Sequence, residues 1–185
     1  QLLNILAQFQ LDEKVVSAEP FGNGHINDTL KVTNEKGEIK YVLQRINHLI
    51  FTNVDMLQNN IHVVTTHIRK KLEEKGETDI DRKVLTFLPT KDGKKYYFDG
   101  DSYWRVCLFI PRSKSYEEVT PELSYEAGKA FGGFQTMLSD IPEGTLGETI
   151  PDFHNMEFRL LQFHEAVAAN PAGRVGEVKD LVEEI

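Results

Sequence analysis

The stretch "FGNGHINDTL", residues 21–30, lies between two strand-like segments, and its reading decides the fold. Before it, "KVVSAEPFG" opens on β-branched residues; after it, "DTLKVT" and "EIKYVLQRI" carry β-branched and aromatic residues, with the asparagine and glycine of a hairpin turn in "TNEKGE" between them. The stretch is therefore expected to be the first turn of a three-stranded antiparallel unit. Gly22 and Gly24 flank Asn23. Glycines let a backbone turn tightly and approach a ligand with no side chain in the way, leaving N–H groups to face an anion. An ordinary hairpin turn uses the same residues. Context excludes two phosphate grips: the Gly-x-Gly of a doubly wound nucleotide fold runs from a strand into a helix, and the Lys-Ser or Lys-Thr of a Walker A loop is absent.

Outward from this turn the pattern changes type. Leu2, Leu3, Ile5, Leu6 and Phe9 are spaced for a short amphipathic helix over residues 1–9. Val54, Leu57, Ile61, Val64, Ile68 and Leu72 share one face of a longer helix expected over 53–75, which ends in "RKKLEEKG". "KVLTFLPT", the turn "KDGK", "KYYFDGD" and "YWRVCLFIP" then add two strands, and Pro111 ends the last. After the polar connector "RSKSYEEV", Thr120 is placed as an N-cap with Pro121 at the first helical position, and Leu123, Ala127, Phe131, Phe134 and Leu138 line one face. Two more helices are expected over 156–169 and 174–185, separated by "NPAGR". The expected fold class is α+β, an antiparallel five-stranded sheet with a helix packed on it (1–111) followed by helices (112–185).

Composition removes several classes of function. A formal net charge of −8 over 185 residues argues against nucleic acid as partner. Cys107 is the single cysteine, so no intrachain disulfide forms, and its apolar setting reads as core. The six histidines show no zinc spacing; His62 and His67 are five apart. Apolar runs are too short to cross a membrane, and a soluble, cytoplasmic protein is expected.

The element order is that of kinase-like N-terminal lobes, in which a glycine-rich loop joins the first two strands. Beyond order, "GNGHINDTLKV", "YVLQRINHLIF", "YWRVCLFIP" with "SY" soon after, "EAGKAFGGFQTMLSD" and "ETIPDFHNMEFRLLQF" resemble corresponding segments of the aminoglycoside phosphotransferase-like family, its anomeric sugar kinases most of all. The resemblance spans nearly the whole chain and is more specific to the family than to the sugar.

The resemblance implies a protein-kinase-like N-terminal lobe and an ATP- and Mg2+-dependent phosphotransferase acting on an N-acetylhexosamine or related sugar. By the same resemblance, Gly22, Asn23 and Gly24 cover the ATP phosphates, and Asn27 and Asp28 fix the loop through side-chain to backbone hydrogen bonds. His25 matches a sugar-contacting position, though an exposed turn histidine reads the same way. "LFIP" becomes the hinge, with backbone groups of Phe109 and Ile110 meeting adenine; Phe109 and Trp104 also read as core. Gln44 stands where most kinases carry a lysine. Glutamine donates hydrogen bonds but brings no charge. His62 takes the place of that lysine's glutamate partner, and Arg45 points to the opposite face. Phosphate binding is therefore expected to lean on the loop and on metal.

The family's "H-x-D-x-x-x-x-N" segment and its later aspartate do not appear before Ile185, and neither Asp140 nor Asp152 lies in such a pattern. No catalytic residue and no metal ligand is assigned, and this chain alone is expected to be inactive. Three readings stay open: a sugar 1-kinase, a kinase of another alcohol such as an aminoglycoside, choline or homoserine, and a non-catalytic nucleotide-binding or protein-interaction module. The choice of ATP over GTP is open as well.

Overall fold

The computed structural model describes residues 1–22 and 24–185. Two compact units are formed, Gln1–Thr149 and Ile150–Ile185.

The first unit is built on an open antiparallel sheet. Its strands are β1 (Val15–Pro20), β2 (Asp28–Asn34), β3 (Ile39–Ile46), β4 (Phe87–Leu88), β5 (Tyr97–Phe98) and β6 (Tyr103–Leu108). They lie in the order β1-β2-β3-β6-β4, with β5 also paired to β6. The β2–β3 hairpin forms where the asparagine and glycine predicted it. Gly37 takes φ +82°, a region costly for other residues, and the Asn34 side chain accepts from the amides of Lys36 and Glu38. The sheet has six strands where five were expected. β4 pairs with Val106 and Cys107, β5 with Tyr103 and Trp104, so the two short strands lie along different parts of β6. The "TKDGK" turn between them leaves the sheet, held by Thr90, whose hydroxyl donates to Asp92 and accepts from the Lys94 amide.

Alternation along β3 divides the sheet into two faces. Tyr41 and Leu43 join Val32, Trp104 and Val106 in a core closed by Ile5, Leu6 and Phe9 from α1 (Leu2–Leu6) and the turn after it. Ile46 faces the other way, where α2 (Val54–Glu74) delivers Val54 and Leu57. Asn53 caps α2, its side chain accepting from the Met56 amide. The helix ends within one residue of the expected 53–75 span at each end.

Helix α3 (Pro121–Leu138) starts as predicted, with Thr120 accepting from the Leu123 amide. It belongs to the first unit, which therefore runs past the expected lobe boundary at residue 111. The attachment is local: Met137 and Leu138 pack on Ile68, Leu72 and Val84, and Asp140 accepts from Lys71 and from His67 at 2.9 Å. The rest of the predicted apolar face is open, with Phe131 72% and Phe134 46% exposed.

In the second unit, α4 (Met156–Ala169) matches the expected span and is capped by Asn155. The stretch expected to be one helix over 174–185 is a 3-10 turn, Val175–Val178, and a short α5, Lys179–Glu183. Gly176 lies inside that turn, where it weakens helix continuity. Among the described residues no helix is long and apolar enough to cross a membrane.

Two predictions follow from this packing. Leu43 is fully buried between β2 and β6, so Leu43→Ala should cost about 2–5 kcal/mol, read as a lowered urea midpoint at unchanged m-value. The hydrogen bonds from Lys71 and His67 pull the Asp140 carboxyl down to about 2 from its ordinary 3.8. A carboxyl depressed by folding stabilises above its unfolded value, and that contribution is lost as pH falls through the folded one. The melting-temperature gap between the wild type and Asp140→Asn should therefore be full above about pH 4, close by about pH 2, and shrink with added salt because the site is exposed.

Candidate functional site

The predicted site residues occupy three places on the sheet. The first is the bend between β1 and β2. Gly22 takes φ +82°, and a Cβ at either Gly22 or Gly24 would meet no steric clash, so the bend is held open by conformation rather than by close packing. Asn23 lies outside the described residues. Asn27 reaches out of the bend. Its side chain accepts from the Asn47 amide at 2.9 Å, tying the bend to the chain just after β3. Asp28 likewise accepts from Arg45 Nε at 2.6 Å, so both side chains reach across to the third strand.

Gly22 and Gly24 border a hollow of about 350 Å³ shared with Leu2, Arg45 and Trp104 on the α1 side of the sheet. His25 borders a second hollow, about 340 Å³, with Asp28, Arg45, Asn47, His48 and Ser102. This lining is rich in hydrogen-bonding groups. Arg45 stands on the face opposite Gln44, as expected from alternation, and is exposed.

The hinge is the second place. The Phe109 amide donates to the Lys40 carbonyl at 2.9 Å, so it extends the sheet and is not free for a ligand. The Ile110 carbonyl accepts from the Ser113 hydroxyl, and the Pro111 carbonyl from Arg82. Among the described residues the Ile110 amide has no partner. Phe109 meets Phe21 edge to face, with ring centroids 5.9 Å apart, and this contact brings the bend to the hinge. Trp104 is core, as read from sequence: it is buried and donates from Nε1 to Asp99 at 2.8 Å.

The third place is the α2 face of the sheet, and here the structure adds a residue that sequence reasoning did not single out. Thr29, Gln44 and Arg105 stand in register across β2, β3 and β6. Gln44 Nε2 donates to Thr29 Oγ1 at 3.1 Å. Arg105 Nε donates to Gln44 Oε1 at 2.9 Å. Gln44 thus bonds along the sheet, to Thr29 and Arg105, and His62 is exposed. Arg105 also lies over the Phe87 ring, 5.3 Å from its centroid. Its Nη1 is buried with no hydrogen-bond partner, and among the described residues no carboxylate pairs with it. Burial pulls the guanidinium below its ordinary value. Beside it lies a hollow of about 530 Å³, lined mainly by apolar residues such as Ile61, Val64, Ile68 and Phe134.

The sequence did hold a signal for Arg105: a single cation inside "YWRVCL", at a position alternating with core residues. Its partner was not legible, because nothing in either strand states that Gln44 opposes Arg105 and not Val42 or Ile46.

No set of three or more His, Cys, Asp or Glu among the described residues is placed to hold a metal ion, so no step is derived through one. Searched against protein-family models, the chain matches none.

Cys107 is buried next to Arg105, and burial pushes its thiol up to about 11. It should resist a thiol-exchange reagent at pH 8 in the folded protein and react fully once guanidinium unfolds the chain; fast reaction of the native protein would contradict a core role.

Proposed function

We propose that the first unit is a nucleotide-gripping, protein-kinase-like lobe of an ATP-dependent small-molecule phosphotransferase. The observation that carries this reading is the link from the bend, through Phe21 and Phe109, to the hinge, together with an Ile110 amide that has no partner among the described residues. Adenine would lie against the hinge and accept from that amide. The phosphate tail would run along the α2 face toward Thr29 and Gln44 beneath the bend. The resemblance to anomeric sugar kinases favours an N-acetylhexosamine or related sugar as acceptor. In that case the polar hollow beside His25, with Asp28, Asn47 and Ser102, supplies the hydrogen-bonding groups a polyol needs. Deprotonating an acceptor hydroxyl needs a carboxylate in reach. We assign that role to no residue of this chain, and the proposal for it is the nucleotide grip.

A second reading is a nucleotide-binding module without catalysis. Gln44 favours it, since the usual lysine charge is absent from β3.

Titration of ATP with magnesium into isotope-labelled protein should give saturable binding, with amide shifts at Gly22, Gly24, Thr29 and Ile110. Absence of saturable binding, or shifts confined to α4 and α5, would overturn the nucleotide grip. Labelled ATP offered with a panel of N-acetylhexosamines separates the two readings. Transfer supports the kinase, whereas binding without transfer supports the module.

A further inference from the structure

The α2 face carries a charge that its surroundings do not balance. Arg105 comes from the middle of β6, its Nη1 is buried, and no acceptor meets that nitrogen. Arginine stays protonated even when buried, so it cannot relieve its desolvation by losing a proton. A buried cation held this way needs an anion. Three of its neighbours are Phe87, Cys107 and Gln44. The first two bring no charge, since the Cys107 thiol is neutral when pushed up to about 11. Gln44 offers one oxygen, already bonded to Nε.

Gln44 itself is nearly saturated. Its oxygen accepts from Arg105 and its nitrogen donates to Thr29, leaving one N–H. It is therefore a poor primary ligand for phosphate and a good clamp: by engaging Nε it fixes the plane of the guanidinium and leaves Nη1 unbonded. Glutamine at this position also makes chemical sense only with Arg105 beside it. A lysine there would set a second ammonium against the guanidinium at hydrogen-bonding range and would supply no acceptor for Nε.

Resting on the nucleotide-grip reading, we propose that Arg105 supplies the phosphate-binding cation that β3 lacks, and that Gln44 is its positioning residue. The ligand group is the anionic tail of the nucleotide, met at the Thr29–Gln44–Arg105 row. Thr29 joins this row to the bend, since its carbonyl accepts from the Phe21 amide at 2.8 Å. The charge has moved from the third strand to its neighbour, while the hydrogen-bonded row keeps it on the same face.

The test compares ATP, adenosine and inorganic tripolyphosphate by calorimetry on the 185-residue chain. The variants are Arg105→Met, Gln44→Lys and the double variant. The wild type should bind ATP about 10- to 100-fold more tightly than adenosine, the range of a charge-assisted phosphate contact. Arg105→Met should bring that ratio near one, abolish tripolyphosphate binding and leave adenosine affinity unchanged. Its melting temperature should equal or exceed the wild type's, because an apolar isostere removes an unpaired buried charge. Gln44→Lys alone should melt lower, whereas in the Arg105→Met background it should be tolerated and should restore the ATP preference. An Arg105→Met protein that keeps the wild-type ratio overturns the assignment while the nucleotide grip stands. Unfolding of that variant, which would mark Arg105 as purely structural or paired with a protein carboxylate, overturns it too. A wild type that binds neither ATP nor adenosine overturns the nucleotide grip and this assignment together.

Discussion

Everything in the first unit hangs on β3. It is hydrogen-bonded on both edges, to β2 and β6, and its alternate residues serve two different cores. Tyr41 and Leu43 close the layer under α1, while Ile46 meets α2. A slip of one residue would exchange these faces entirely. Leucine would then face α2, and Gln44 would be driven into a dry layer with no partner. Register is thus fixed by burial on both sides, and that fixed register sets Gln44 opposite Thr29 and Arg105.

The same constraint explains how an ionic group survives in an interior strand of a sheet. Burying a guanidinium is expensive, and each hydrogen bond recovers only part of that cost. Gln44 and the Phe87 ring face supply two favourable contacts without supplying a countercharge. A residue chosen only for stability at position 105 would be apolar, as Val106 and Cys107 are. Strain of this kind, kept in an otherwise consistent core, is a departure from the local rules that the rest of the sheet obeys.

Much of the fold was legible. Spacing placed α2, α3 and α4 to within a residue or two, with Thr120 read as the cap of α3; that Asn53 and Asn155 cap the other two is shown by the structure. The β2–β3 hairpin was legible from Asn34 and Gly37. The count of strands was not: Phe87–Leu88 and Tyr97–Phe98 are too short to carry a period, and their existence depends on β6 offering two separate lengths of edge. The bend residues were legible as a turn, but not the reach of Asn27 and Asp28 to β3, which depends on tertiary placement. Arg105 escaped notice for the same reason, since an inward-facing cation is recognised by what opposes it and antiparallel register is a property of two strands.

The attachment of α3 to α2 shows which force decides such a boundary. The polar contacts there catch the eye: Asp140 meets Lys71 and His67, and Lys71 also reaches the Met137 carbonyl at 2.7 Å. Yet the Asp140 side chain is 57% exposed, and ion pairs in water gain little. Beneath them Ile68, Leu72 and Val84 are each at most 6% exposed, in contact with Met137 and Leu138. Burying aliphatic side chains of this size contributes about 1.5–3 kcal/mol apiece. The apolar contact therefore holds the C-terminal end of α3 to the sheet's own helix, and the exposed charges add little. The helix is thus anchored at its C-terminal end, and the Ile68 and Val84 that meet it there also border the hollow beside Arg105.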